Sequence, residues 1–549
     1  MKKVISGILA VLMIIALASC STQGSPSSQE PSAAPSQTSP AEKETLGNIA
    51  FPLSDETVEL TVWTEQLSNN LITDFETNKM TKWYEDLTNV HVNWMAIPSA
   101  EKETKLNLSL ASGSYPDIYG GDFYANQITL YGGKVFRALN DLLEGGYMPN
   151  TKAWFDEEPY ILEGLTASDG NLYGYPNVSI AYHMRAPNKM FVKQDWIDQL
   201  GIEVPTTTEE FKNMLISFRD KDMDGDGDVA NEIPLLGSTS SWCGDPLIFL
   251  MNSFQLTSND YLLAENDKVY FTANMDTWRT GLVYMSDLYK EGLLAEETYV
   301  QDNTQYIALV GEGVVGAAAG AWQGVFCDDI EVPYTDYPVV LPLKGPDGLQ
   351  QTPTNSVDGT VSLAFKGVIT TSCKNPEIAA QWLDFWVSDE GTFVNTFGYE
   401  NENFEYSDEL AINNGKPSVT FYETANQPEN SMWVNKTAPI HTKTDIYYLA
   451  TATEGSSNML LYNGGQAYIP YEVYTGKPLT TWLNDADAEA ERSELATIIN
   501  EYVAQATAEF VIGTRNINSD PDWVAYSDEL KNLGLDRYIE LTQMLWFGK

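Results

Sequence analysis

Val58-Glu-Leu-Thr-Val-Trp63 alternates apolar and polar side chains, the period of a strand with one buried face. Leu71 to Leu87 then carries helical spacing, and Val90-His-Val-Asn-Trp-Met95 reads as a second strand. Glu101 to Ala111 is a second helix closed by Gly113, and Pro116-Asp-Ile-Tyr-Gly-Gly-Asp122 is a short buried strand running into a glycine turn. Strand, helix, strand, helix, strand predicts an α/β fold built on a parallel sheet with right-handed crossovers.

Later helices carry clear punctuation. Thr206 and Thr207 stand ahead of Glu209 and Glu210 as a capping box, with Phe211, Met214, Leu215 and Phe218 inward. Asp276 to Leu288 places Trp278, Leu282 and Met285 on one face, with Gly292 beyond. Asn375-Pro376 opens another helix with Gly391 near its stop, and Ala486 to Phe510 is the longest helical stretch, followed by Gly513.

The front end predicts location. Lys2 and Lys3 precede apolar Val4 to Leu17, and then comes Leu17-Ala18-Ser19-Cys20. A basic n-region, an apolar h-region and small residues make a secretory signal, and a cysteine at the cut marks the lipoprotein variant. Residues 1–19 are therefore expected to be removed, with Cys20 diacylglycerylated as the mature N-terminus. The other reading is an ordinary signal peptide with an incidental cysteine. Ser21 to Pro40 holds no aromatic and a single charge, Glu30, so residues 20–54 read as a flexible lipidated linker. Ordered structure is expected from near Glu56. The expected location is the extracellular face of the cell membrane, touched through acyl chains only, because the apolar stretch is too short to span comfortably.

A chain of 549 residues exceeds one ordinary core, which predicts two or more lobes. Its net charge of −46 argues against nucleic acid or an anionic lipid surface as partner, since either needs a basic patch. Carbohydrate and cationic ligands stay open. Cys243, Cys327 and Cys373 are far apart and form no CxxC motif; one disulfide with a thiol left over, or three unpaired cysteines, are the readings, and the second is preferred. The scattered His91, His183 and His441 remove most zinc-enzyme readings.

The sharpest motif is Asp222-Met-Asp224-Gly-Asp226-Gly227-Asp228-Val-Ala-Asn231-Glu232. Calcium takes six to eight hard oxygen ligands, and carboxylates at positions 1, 3 and 5 before a glycine wrap a chain around one ion. Asp228 would give its backbone carbonyl, and Asn231 or Glu232 would close the sphere. Without a cation each carboxylate pair at ~5 Å costs on the order of 1–3 kcal/mol. The loop departs from an EF-hand in having Glu at position 11 with Pro234 close behind, and the plain alternative is a solvated acidic turn. The expected role of calcium is structural, stapling a loop.

Gly311-Glu-Gly313-Val-Val-Gly316-Ala317 matches the dinucleotide pattern G-x-G-x-x-G, but Val314 to Gly320 reads equally as a closely packed strand, and that reading is preferred. No G-x-S-x-G, H-E-x-x-H or Walker A run occurs. A carboxylate pair for glycoside hydrolysis stays open among 77 acidic residues, since such a pair is defined by spacing in space. Absence of a catalytic signature favours a binder over an enzyme.

In open α/β sheets ligands bind beyond the carboxyl ends of strands. Trp63, Asp122, Tyr182, Trp242 and Trp322 stand in such places, the aromatics for stacking on sugar rings and Asp122 for hydroxyls. Core packing is the competing explanation for each one alone. Together they tilt toward a carbohydrate cleft.

The Leu17-Ala-Ser-Cys20 lipobox, Gly174-Tyr-Pro176, Val192-Lys-Gln-Asp-Trp196 through Pro205-Thr206, the acidic loop into Glu232-Ile-Pro234, Asn375-Pro-Glu-Ile-Ala with Trp382 and Ser388-Asp-Glu-Gly391, and Phe510-Val-Ile-Gly513 with Gly534-Leu-Asp-Arg-Tyr538 occur in one order. In that order the chain resembles the family 1 extracellular solute-binding proteins, lipoprotein receptors of ABC sugar importers. It looks most like the subgroup that includes alginate- and complex-oligosaccharide-binding receptors, whose members carry a calcium loop here. In that subgroup the loop usually ends Asp-Glu-Ile-Pro, and the extra residue in Ala-Asn231-Glu232 puts its last ligands in doubt.

The resemblance implies a two-lobed, type II periplasmic-binding-protein-like clamp. Each lobe would be a mainly parallel sheet flanked by helices, with extra helices in the C-terminal part. Lobe one would be residues 55–178 and 350–440, lobe two 179–349 and 441–549. The implied function is a monomeric, non-enzymatic receptor that captures an oligosaccharide and presents it to ABC permease subunits. An exported glycoside hydrolase and a peptide- or cationic-solute receptor are the rivals.

Overall fold

The structure, a computed structural model, describes residues 44–66, 71–98, 101–328, 332–357, 360–411, 417–422, 426–433, 437–442, 455–482 and 485–548. The lipobox with Cys20 and the linker up to residue 43 lie outside the described residues.

Strand Val58–Gln66 lies between Val90–Pro98 and Ile118–Phe123 and is parallel to both, with helices Lys79–Thr88 and Lys102–Ser112 in the two crossovers. The first helix starts later than its spacing predicts because Asn78 caps it, accepting the Met80 N–H at 3.0 Å. Gly113, at φ +76°, closes the second. Two further strands extend this sheet: Ser362–Ile369 runs antiparallel to Ile118–Phe123, and Pro176–Ser179 antiparallel to Ser362–Ile369. A hairpin of Glu44–Leu46 and Ile49–Phe51 comes earlier than the expected start of order.

A second sheet runs Val339–Val340, Lys189–Val192, Val315–Gly320, Ile233–Leu236. Its last two strands are parallel, and Lys189–Val192 is antiparallel to both neighbours. That strand enters from the first sheet without a helical crossover, which frees it to pair in the opposite sense.

Each sheet has its own core. Trp63, Tyr84, Trp382, Trp386 and Trp433 anchor the first, formed by residues between 49 and 178 and between 363 and 438. Trp196, Phe211, Trp278, Phe510 and Tyr526 anchor the second, formed by residues between 186 and 343 and between 468 and 546. The capping box of Thr207 and Glu210 opens helix Thr208–Arg219, and the long helix Ala486–Ile512 packs on Asp276–Lys290. A two-strand ribbon of Thr352–Thr354 and Glu472–Tyr474 belongs to neither sheet, and Arg185 binds Glu472 there through Nε at 2.8 Å and Nη2 at 2.5 Å.

The glycine run before residue 320 is settled by element order. Helix Asn303–Gly311 turns at Gly313, φ +82°, into the wholly buried strand Val315–Gly320. A dinucleotide loop needs strand before helix. Gly316 answers instead to packing, since a Cβ there would sit 2.5 Å from the Phe218 ring and 2.7 Å from Trp196. Gly391 does not stop the helix that begins at Pro376; that helix ends at Asp384, and Gly391 lies in the first turn of Asp389–Phe397, donating to the Ser388 cap. Among the described residues, Cys243, Cys327 and Cys373 form no disulfide. Among the described residues no helix is long and apolar enough to cross a membrane.

Candidate functional site

The acidic loop connects helix Thr208–Arg219 to strand Ile233–Leu236. Gly225 at φ +83° and Gly227 at φ +92° make turns that side-chain-bearing residues resist. Asp222 accepts the Gly225 N–H at 2.8 Å and the Gly227 N–H at 3.1 Å, so its carboxylate sits inside the curl of the chain. Ligand oxygens of Asp222, Asp224 and Glu232 lie within 4.8 Å of one another. Glu232 is buried; its Oε1 accepts the Met223 N–H at 2.7 Å, whereas its Oε2 has no hydrogen-bond partner. A buried, donorless carboxylate oxygen beside two more carboxylates is the arrangement a hard cation completes.

The five acidic residues singled out from sequence are not all gathered. Asp226 accepts from Asn231 Nδ2 at 2.9 Å and from the Asp228 N–H at 2.7 Å, and Asp228 accepts the Ala230 N–H at 3.0 Å. Neither carboxylate is in the group of three, although Asn231 Nδ2 also reaches Asp224 at 3.4 Å, and Asp228 is expected to ligate through its backbone carbonyl, which its carboxylate does not test.

The candidate sugar contacts divide in the same way. Trp63 is 1% exposed and sits edge-on to Tyr119 in the first core, so its role is packing and it offers no face to a ligand. Asp122, on the strand of the first sheet next to Lys366, accepts from Asn177 Nδ2 at 2.9 Å and lies 3.6 Å from the Lys366 ammonium. The Tyr182 side chain lies outside the described residues. Trp242 is 47% exposed, with its ring 6.0 Å from that of His183. Trp322 follows the end of strand Val315–Gly320, half-buried, edge-on to Tyr334 at 5.1 Å and lying over Gly324.

Lys189 joins the Trp242 and Trp322 neighbourhoods. Its ammonium donates to the carbonyls of His183 at 2.9 Å, Ala186, and Ala321 at 3.4 Å. The aromatic rim of the second sheet is thereby tied at its base.

A cavity of about 610 Å³ opens between residues of the two cores and the ribbon. Tyr124 and Asn126 border it from the first core's side, Arg185 and Asp260 from the second's, and Asn355 and Lys477 near the ribbon. Lys477 pairs with Asp260 at 2.8 Å, and this holds the Asp260 carboxyl below its ordinary range against the opposing effect of burial. None of the five aromatic and acidic contacts picked from sequence lines this cavity; Tyr124, two residues past Asp122, does. The size lies within the ~300–1,000 Å³ of small-molecule sites.

The chain matches the bacterial extracellular solute-binding protein family over residues 69–393. FusA of Streptococcus pneumoniae, a fructooligosaccharide ABC transporter substrate-binding protein, is 27% identical over 477 residues, 83% of this chain and 84% of FusA. The structure of S. pneumoniae FusA in complex with kestose superposes with a TM-score of 0.73 at 26% identity, covering 88% of this chain and 98% of that one. A FusA EF-hand mutant in complex with fructo-nystose gives 0.72 at 25% over the same shares. Alginate-binding protein AlgQ2 without calcium ion shares the fold at a TM-score of 0.67 and 22% identity, covering 90% of this chain and 99% of its own. With two main sheets packed in separate cores and a cavity between them, this chain belongs to the bacterial extracellular solute-binding proteins and has their two-lobed fold.

Proposed function

We propose that the protein is a lipid-anchored receptor that grips an oligosaccharide between its lobes and hands it to an ABC permease. The lobes are residues 55–178 with 350–440, and 179–349 with 441–549; the separation of the two cores supports these bounds. Ligand bridging both lobes would favour a closed form, and its differential affinity for that form is the whole driving force. The likeness to FusA over nearly all of that chain carries the reading, and it makes kestose the first probe.

Trp242 is the principal stacking platform in this reading, because it is exposed and stands beside His183. Trp322 stacks from the neighbouring strand end, and Asp122 accepts sugar hydroxyls from the opposite lobe. Calcium is held by Asp222, Asp224 and Glu232, with the donorless Glu232 oxygen supporting that choice, and staples the loop between helix and strand. Cys20 carries the diacylglyceryl group that keeps the mature chain on the extracellular face of the membrane.

Calorimetric titration with kestose and a wider glycan panel tests this. Saturable binding of an intact oligosaccharide is the expected result; binding of a basic peptide and no glycan would overturn it.

A further inference from the structure

Lys189 is the first residue of strand Lys189–Val192, opposite Gly320, and it is 2% exposed. A lysine in such a place would ordinarily be paired with a carboxylate. Its hydrogen bonds go instead to three main-chain carbonyls, those of His183, Ala186 and Ala321. An ammonium has three N–H donors, and here all three are used. The Tyr468 ring lies 5.5 Å away, and the Tyr468 hydroxyl donates to the Val340 carbonyl of the same sheet.

The three carbonyls belong to the segments that shape the candidate site. His183 faces the exposed Trp242, Ala321 immediately precedes Trp322, and Ala186 lies among Met184, Arg185 and Asn188, which border the cavity. We propose that Lys189 is a positioning residue for ligand: its ammonium fastens residues 183–188 to the end of strand Val315–Gly320 and so sets the spacing of the sugar-binding rim. This rests on the oligosaccharide reading given above.

The fastening depends on the proton. A neutral amine has two N–H groups and a lone pair, so one carbonyl would lose its donor and face that lone pair. Burial lowers the Lys189 pKa to about 7. Glu472 acts to raise it again and offsets burial only in part. His183 is pushed down to about 4 and is neutral, Cys243 is pushed up to about 11 and stays a thiol, and Tyr468 is held above its ordinary value by burial. Glu472 is engaged by Arg185. A group with a lowered pKa loses its proton as pH rises, so the rim is tied below neutral pH and loosened above it.

Kestose titration of the whole chain at pH 6 and pH 9 is the test. Wild type is expected to bind about 10-fold or more tightly at pH 6, with Lys189→Met at pH 6 as weak as wild type at pH 9 and no longer pH-dependent. Equal affinity of Lys189→Met and wild type at pH 6 overturns the proposal. Should the variant fail to fold, ligand-free hydrogen exchange of wild type over residues 183–188 and 321–326 decides. Corrected for intrinsic rate, exchange should be faster at pH 9, and unchanged protection overturns the proposal. Because that readout needs no sugar, failure of wild type to bind kestose counts against the oligosaccharide reading and leaves Lys189 to be judged by exchange.

Discussion

Met223 donates its backbone N–H to one oxygen of Glu232 at 2.7 Å across the acidic loop, leaving the other oxygen buried without a donor near Asp222 and Asp224. A cation would satisfy that oxygen and screen three carboxylates at once. Calcium at 100 times its Kd should stabilise the lobe carrying the loop by about 2.7 kcal/mol and raise its Tm by several degrees. Glu232→Gln should lose most of that increment, whereas Asp228→Ala should keep most of it, since the Asp228 carboxylate is turned to Ala230. Thermal scans with calcium and with chelator check both; an equal response of the two variants would contradict the ligand set.

The tryptophans should separate by burial. Trp242→Ala should weaken oligosaccharide binding by about 10-fold or more with little change in Tm, because nearly half of its surface is already in solvent. Trp63→Ala should destabilise by about 3–5 kcal/mol while leaving the affinity of the folded fraction near wild type. Paired calorimetry and denaturant titrations read these outcomes.

Gly345 makes a sharp packing prediction. A Cβ at this position would lie 1.8 Å from the Ser253 carbonyl oxygen, a main-chain atom that cannot rotate away. Gly345→Ala should therefore destabilise the second core by about 1–3 kcal/mol, with urea midpoints as the measure.

Asp384 supplies a pH dependence. It is wholly buried and accepts the Asn150 and Thr151 N–H groups and the Thr151 hydroxyl, yet burial outweighs these donors and pushes it up to about 6. A carboxyl with a raised folded pKa binds protons better folded than unfolded. Its contribution is fullest below the unfolded value of about 3.9 and declines as pH rises toward 6, by about 3 kcal/mol at most. Asp384→Asn should flatten the wild-type decline in unfolding free energy between pH 4 and 6, whatever its effect on absolute stability. A wild-type profile that rises with pH more steeply than that of the variant would contradict this.

The legible parts of the fold were those written in local period. Strand Val58–Gln66, its two crossover helices and the Thr207 capping box need only neighbouring residues to specify them. Trp63 misled because strands covered on both faces carry apolar residues whose direction the sequence does not give. Gly391 reads from sequence as a helix stop because glycine serves first turns and C-caps alike. The cavity was invisible: Tyr124, Arg185, Asp260 and Lys477 come from separate segments and meet only after both cores form. Nothing local marks Lys189, since its carbonyl partners lie before it on the chain and on a strand end more than a hundred residues later.

The protein is proposed to grip an oligosaccharide and release it unbroken. Incubating purified protein with kestose, measuring heat of binding, and resolving the recovered sugar by chromatography tests that directly. Saturable binding with all kestose recovered intact is predicted; shortened sugars in the recovered fraction would contradict the account.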